Sequence, residues 1–245
     1  MQNLEFNSQV TILVGENGSG KSTFLEAVAC AARLITVGSA SVEHDPTLAE
    51  IRQLADYLKL NWYKRTHRGF YLRAEDFFGF AKKVAQMKQD LQNDLNAVDE
   101  EYQGRSNYAI GLAKMPYNSE LSGLSQRYGE GLDNQSHGES FLKLFQARFV
   151  PNGFYLLDEP EAPLSPLRQL AFLTALHQMV NQESQFIIAT HSPILMAYPN
   201  AEILSFDNGK ITRTTYKELE HVNLMRAFLN DPNAYLNHLW DSGDE

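Results

Sequence analysis

One short stretch near the start of the chain, GENGSGKS at residues 15–22, constrains the fold more than anything else in the sequence. It matches G-x-x-x-x-G-K-[ST] at every fixed position, through Gly15, Gly20, Lys21 and Ser22. Ahead of it stands QVTILV, rich in β-branched residues. Behind it, KSTFLEAVACAARLITV has the length and apolar spacing of a buried helix. Strand, glycine loop and helix is the order in which a chain wraps phosphate groups: backbone N–H groups turn inward, and the helix presents its positive end. The candidate phosphate contacts are Gly15, Glu16, Asn17, Gly18, Ser19, Gly20, Lys21, Ser22 and Thr23. Lys21 supplies a point charge for the β- and γ-phosphates, and Ser22 is a candidate ligand for Mg²⁺.

Two further apolar runs end in chemistry. FYLLDEP (154–160) closes on Asp158 and Glu159, and QFIIATHSP (185–193) closes on His191. Both read as inner parallel strands covered on two faces, and SPLRQLAFLTALHQMVNQ between them has the helical spacing of a crossover. An acid at the end of an inner strand lies beside the phosphate loop in such a sheet. Asp158 is therefore the expected metal partner, Glu159 the residue facing an attacking water, and His191 a group near the γ-phosphate. AEILSFDNGKITRTTY reads as a hairpin turning at Asn208 and Gly209. The fold class expected is α/β with a largely parallel central sheet.

The rest of the composition narrows the class. At 245 residues and 43% hydrophobic, the chain supports one large domain, 1–245, with a sizeable core. No apolar run is long enough to span a bilayer and no basic-then-apolar leader opens the sequence, so a cytoplasmic protein without a membrane segment is expected. A single cysteine, Cys30, excludes a disulfide framework or a Cys-rich metal site. The net charge of −9 argues against a protein that coats nucleic acid indiscriminately, though not against a local basic groove.

The middle third differs in character. Residues 38–119 read as a mostly helical lobe inserted in the core, holding a short strand at GFYLRA and then one long charged helix. No heptads are sustained there, so no coiled-coil arm is expected. The Gly-, Ser- and Asn-rich stretch at 104–135 reads as a connection, and LSGLSQ within it is set aside for that reason.

The phosphate loop, LLDEP and ATHSP in combination resemble the ABC-type ATPase superfamily, in particular its soluble branch with SMC, RecF and MutS-like enzymes and small stand-alone AAA/ABC ATPases. The likeness covers about 1–37 and 134–206. It implies a P-loop NTPase with an ABC-type nucleotide-binding core that hydrolyses ATP with Mg²⁺: Lys21 on the phosphates, Ser22 and Asp158 on the metal, Glu159 activating water, and His191 sensing the γ-phosphate. It also implies a signature motif before the Walker B strand. QSHGESFLKLF stands there, with Ser136, Gly138 and Glu139 at the family's Ser, second Gly and acidic or amide places. By the resemblance these contact the nucleotide of a second copy, so an ATP-bound homodimer is expected. Without the resemblance, Ser136 and Glu139 read as an ordinary capping box. The EAPLSP stretch (161–166) falls where the family's D-loop crosses the dimer interface, with Ser165 where transporter subunits usually carry Asp.

Other places depart from the pattern. Relatives usually have a further strand before the first one here, which implies either an abbreviated N-terminal part or a start set too late, and Phe6 is the candidate adenine contact. No Q-loop glutamine follows an apolar strand at the usual place. GFYLRAEDFF resembles the matching element of the small stand-alone group, and Glu75 is the candidate to reach the metal instead, or else an ordinary acid in a first helical turn.

The purpose of the ATPase is open at this level. One reading is ATP-driven dimerisation in DNA maintenance, repair or anti-phage defence, acting on nucleic acid or on a protein effector. Lys59, Lys64, Arg65, His67 and Arg68, interleaved with Trp62 and Tyr63, then form either a nucleic-acid contact or a solvated helix end. The alternatives are the ATP-binding subunit of a membrane transporter, and a nucleotide-dependent binding switch with slow turnover.

Overall fold

A computed structural model describes residues 4–37, 48–128 and 137–240. Its centre is a seven-stranded sheet. The strands are β1 (Val10–Val14), β2 (Ile35–Thr36), β3 (Gly69–Arg73), β4 (Phe154–Asp158), β5 (Gln185–Ala189), β6 (Glu202–Ser205) and β7 (Thr212–Thr214), in spatial order β2-β3-β4-β5-β1-β6-β7. All neighbouring pairs are parallel except β6 and β7, which form the expected hairpin around Asp207–Gly209.

Strands β1 and β4 are buried at every position. Their side chains alternate between two cores, as the pleat requires. Val10, Ile12 and Val14 join Leu157, Ile188 and the helix residues Phe172 and Leu176 on one side. Leu13, Leu156 and Ile187 pack on the other side against Leu25, Val28 and Ala29 of α1 (Lys21–Ala32). A sheet covered on both faces needs apolar residues throughout, which is why these strands read as unbroken apolar runs.

The first face carries α3 (Ala74–Glu101), α5 (His137–Arg148) and α6 (Pro166–Val180). Phenylalanines join them: ring centroids lie 4.7 Å apart for Phe77 and Phe141, 4.6 Å for Phe141 and Phe145, and 4.8 Å for Phe145 and Phe172. The remaining helices are α2 (Ala49–Ala55), α4 (Asn107–Tyr128), α7 (Pro193–Met196), α8 (Glu220–Asn230) and α9 (Pro232–Trp240). Among the described residues no helix is long and apolar enough to cross a membrane.

The middle of the chain departs from the sequence reading in two ways. Residues expected to be a connection form α4, which packs along α3 and touches α5, and LSGLSQ lies inside it. Tertiary packing outweighs the roughly 1 kcal/mol that each glycine costs a helix, and the start was legible in Ser106, whose hydroxyl accepts the Ala109 N–H. The long charged helix expected, α3, pairs with α4 in a two-helix hairpin. Its long member has 28 residues, about 42 Å at 1.5 Å per residue, and Lys114 pairs with Asp99 across it at 2.5 Å. Within 38–119, β3 is an inner strand between β2 and β4, so the helical hairpin springs from the core sheet itself.

Gly69 fastens that strand. Its φ is +124°, and a Cβ there would lie 1.8 Å from the Phe154 carbonyl oxygen on β4. Gly69→Ala is expected to lower the unfolding free energy by about 3 kcal/mol or more, read from urea denaturation, because neither the dihedral nor the backbone contact can relax cheaply.

Candidate active site

The parallel register sets the ends of β1, β4 and β5 level with one another. Asp158 pairs with Ala189, which in turn pairs with Leu13. Beyond those ends the backbone continues the ladder: the Glu159 N–H donates to Ala189 O at 2.9 Å, Thr190 N–H to Leu13 O at 3.2 Å, and Phe206 N–H to Val14 O at 2.9 Å. The phosphate loop, the two acids and the histidine loop therefore leave the sheet along one edge, as the sequence reading required.

The loop is held tightly. Gly15 has φ +144°, and a Cβ would sit 2.9 Å from Ser19 Oγ and 3.1 Å from Asp207 Oδ1. Asp207, at the end of β6, accepts the Glu16 N–H at 3.2 Å and the Ser205 hydroxyl at 2.6 Å. Helix α1 begins after Gly20 with no side-chain cap and no acid in its first turn. Its leading N–H groups and positive end are thus left for an outside anion. Lys21 is 5% exposed, and its ammonium donates to Gly15 O at 2.7 Å and Glu16 O at 2.9 Å. Burial lowers its pKa, while the negative charges of Glu159, Asp158, Asp207 and Glu161 raise it.

Asp158 lies against Ser22, whose hydroxyl donates to it. Burial pushes its carboxyl pKa up to about 6. Glu159 and Glu26 add to the rise, and Ser22 and Arg73 oppose it. Arg73, its register partner on β3, pairs with Glu26 at 2.7 Å and donates to the Tyr71 hydroxyl at 3.1 Å. Oxygen Oδ1 of Asp158 is buried with no hydrogen-bond partner among the described residues. A buried carboxylate oxygen left bare beside a serine hydroxyl is the donor set a hard divalent cation takes, so the site fits Mg²⁺.

Glu159 has φ +49° and a half-exposed side chain. Its Oε1 lies 4.0 Å from His191 Nε2, too far for a hydrogen bond. The imidazole is 40% exposed, yet Nε2 is shut off from solvent without a hydrogen-bond partner among the described residues. The His191 N–H donates to Glu161 Oε1 at 2.7 Å.

The structure thus gathers residues 15–23, Asp158, Glu159 and His191. Glu75 stands in the first turn of α3, two positions after Arg73. Gly138 and Glu139 occupy the first turn of α5, whereas Ser136 lies outside the described residues. Sequence reasoning missed three groups. Glu161 was read only as part of a loop, Asp207 only as a turn neighbour, and Gln169 not at all. Gln169 donates to Leu164 O at 3.1 Å and accepts the Ser192 hydroxyl at 2.5 Å. Only Asp207 had a readable signal, as an acid directly after an apolar strand.

Several known proteins are similar to this chain. A family model described as an AAA domain matches residues 1–105, from before β1 through α3. An uncharacterized ABC transporter ATP-binding protein of Haemophilus influenzae is 25% identical over 252 residues, covering 98% of this chain and 87% of its own length. Among solved structures, cbiO1 of Clostridium perfringens, part of the ABC transporter complex cbiONQ, aligns with a TM-score of 0.47 at 18% identity, covering 98% of this chain and 90% of its own. The SMC head domain of Thermotoga maritima aligns at 0.41 and 15% identity, covering 86% and 92%. The sheet and its loaded edge define a P-loop nucleotide-binding domain. By the match over residues 1–105 and by the Haemophilus relative, the chain resembles AAA-domain and ABC-type ATPases.

The raised Asp158 pKa carries a stability consequence. Above about pH 6 the fold holds an ionised, desolvated carboxylate that the unfolded chain would solvate; below about pH 3.8 both states are protonated and the penalty is gone. Asp158→Asn is expected to stabilise the nucleotide-free protein by up to roughly 3 kcal/mol at pH 7.5, and to lose that gain near pH 4, in denaturation measured at both pH values.

Proposed function

We propose that the chain is a Mg²⁺-dependent ATPase whose ATP-bound form is a head-to-tail homodimer. The observation that carries this reading is the pair of buried, partnerless atoms, Asp158 Oδ1 and His191 Nε2, at the same edge as Lys21 and the uncapped start of α1. Buried polar atoms without partners are uncommon in native proteins, and here two atoms without partners among the described residues lie along the sheet edge that carries the uncapped start of α1.

Residues 15–23 hold the phosphates, with Lys21 leaving its loop carbonyls for the β- and γ-oxygens. Ser22 and Asp158 hold Mg²⁺, and Glu75 is the further candidate. Bound there, the ion neutralises charge that builds on the phosphates. Water attacks the γ-phosphorus, the bond to the β–γ bridging oxygen breaks, and ADP leaves. Glu159, half-exposed beside that position, accepts the water's proton. His191 supplies an N–H toward the γ-phosphate side. Ser136, Gly138 and Glu139 of a second copy then close on the nucleotide, so that ATP joins the subunits and hydrolysis frees them.

Glu159→Gln is expected to slow turnover by about a hundredfold or more while leaving ATP binding intact. Light scattering should then show the mass doubling only with Mg-ATP. Tight ATP binding with an unchanged monomer mass would sink the homodimer.

A second observation bears on the partner. The basic run at 58–68 is no helix end, since α2 stops at Ala55. It is a loop pinned to the opposite, amino-terminal edge of the sheet. Trp62 packs edge-on against Phe154, Lys64 pairs with Glu183 at 2.8 Å, and Thr66 donates to Asn152 O at 2.8 Å. Lys59, Tyr63, Arg65 and His67 face solvent, an arrangement suited to single-stranded nucleic acid. Under this reading an oligonucleotide stimulates ATP turnover, and Lys59→Glu with Arg65→Glu removes the stimulation while basal turnover stays. Copurification with an integral membrane protein and no response to nucleic acid would instead favour a transporter subunit, the role named for the Haemophilus relative.

A further inference from the structure

Two side chains outside the phosphate loop tie the segment after β4 to the segment after β5. Glu161 Oε1 accepts the His191 N–H at 2.7 Å. One residue further on, Gln169 bridges Leu164 O at 3.1 Å and the Ser192 hydroxyl at 2.5 Å, and that hydroxyl in turn accepts the Ile194 and Leu195 N–H groups at the start of α7. The Glu161 segment is itself braced, by Ala162 N–H on Glu159 O at 3.1 Å and Leu164 N–H on Glu161 O at 2.8 Å. The His191 amide and the neighbouring Ser192 hydroxyl are therefore tied, through Glu161 and Gln169, to the segment that follows Glu159.

A charged acceptor on a backbone N–H is a strong, short-range tether. Without it, His191 would be held by the strand end at Thr190 and by the cap at Ser192, with its own amide unpaired. The 4.0 Å separation of Glu159 Oε1 and His191 Nε2 is a spacing between two loops, and the Glu161 contact ties those loops together beyond the backbone ladder. We propose that Glu161 is a positioning residue for His191, assisted by Gln169: it sets the placement of His191 relative to Glu159, the residue beside which the attacking water and the γ-phosphate meet. This rests on the ATPase reading above for its consequence, but not for its geometry.

The test uses the full chain and the variants Glu161→Gln, Glu161→Ala, His191→Ala and the double alanine variant. The Gln side chain keeps a carbonyl oxygen for the His191 N–H. E161Q is therefore expected to hold kcat within about threefold of the wild type, whereas E161A lowers kcat about tenfold or more and changes KM for Mg-ATP by less than about threefold. In the H191A background, adding E161A should cost less than about threefold more, because both changes act on one interaction. Losses that multiply in the double variant, or an E161Q enzyme as impaired as E161A, overturn the proposal. The second readout needs no turnover: exchange of the His191 amide, followed by NMR, should stay slow in E161Q and quicken about tenfold or more in E161A. Unchanged exchange in E161A overturns the clamp alone, and a wild type that binds but does not hydrolyse ATP overturns the ATPase reading alone.

Discussion

The parallel pairing of β4, β5 and β1 is the constraint from which the site follows. Three apolar strands hydrogen-bonded in register must end together, and where they end the chain has to leave the sheet. The groups that leave are the glycine loop, Asp158 with Glu159, and Thr190 with His191. None of them is near another in sequence. Backbone hydrogen bonds that run one residue past the strands, such as Glu159 N–H to Ala189 O, hold even the first loop residues to that order. The two faces of the sheet carry the cost of this arrangement. Burial of alternating Val, Ile, Leu and Phe against α1 on one side and α5 and α6 on the other supplies the hydrophobic stabilisation that keeps a polar, desolvated edge in place.

That edge is charge-dense. Lys21 lies nearly buried within the fields of Asp158, Glu159, Glu161 and Asp207. One ammonium among four carboxylates, one of them pushed up to about pH 6 by burial, describes a site that favours added positive charge near Asp158. The amides of the loop and of the α1 start favour added negative charge a few residues away. A metal–triphosphate meets both demands together, which neither a bare anion nor a bare cation does.

How far the sequence disclosed all this depends on the kind of signal. The phosphate loop was legible because its glycines and lysine act locally, within one strand–loop–helix unit. Asp158, Glu159 and His191 were legible because each closes an apolar run. Helix α4 was not, since Ser, Asn, Gly and Pro116 argue locally for a connection and only packing along α3 reverses that. Glu161, Gln169 and Asp207 were invisible as a group: each acts on a segment between 23 and 191 residues away. The basic run at 58–68 was visible as composition, but its place at the edge opposite the phosphate loop, pinned by Trp62 and Lys64, belongs to the fold.

By itself, then, the sequence determined the chemistry available: a glycine loop with a lysine between strand and helix, acids and a histidine at strand ends, and a sheet covered on both faces. These follow from local backbone geometry and from the period of the apolar residues, which neighbouring residues express without reference to the rest of the chain. The tertiary structure alone decided the spacings. The 4.0 Å between Glu159 and His191, the bare oxygen of Asp158 and the tether from Glu161 exist only after distant segments pair, because hydrogen bonds and desolvation depend on distances in space that the order of residues does not encode.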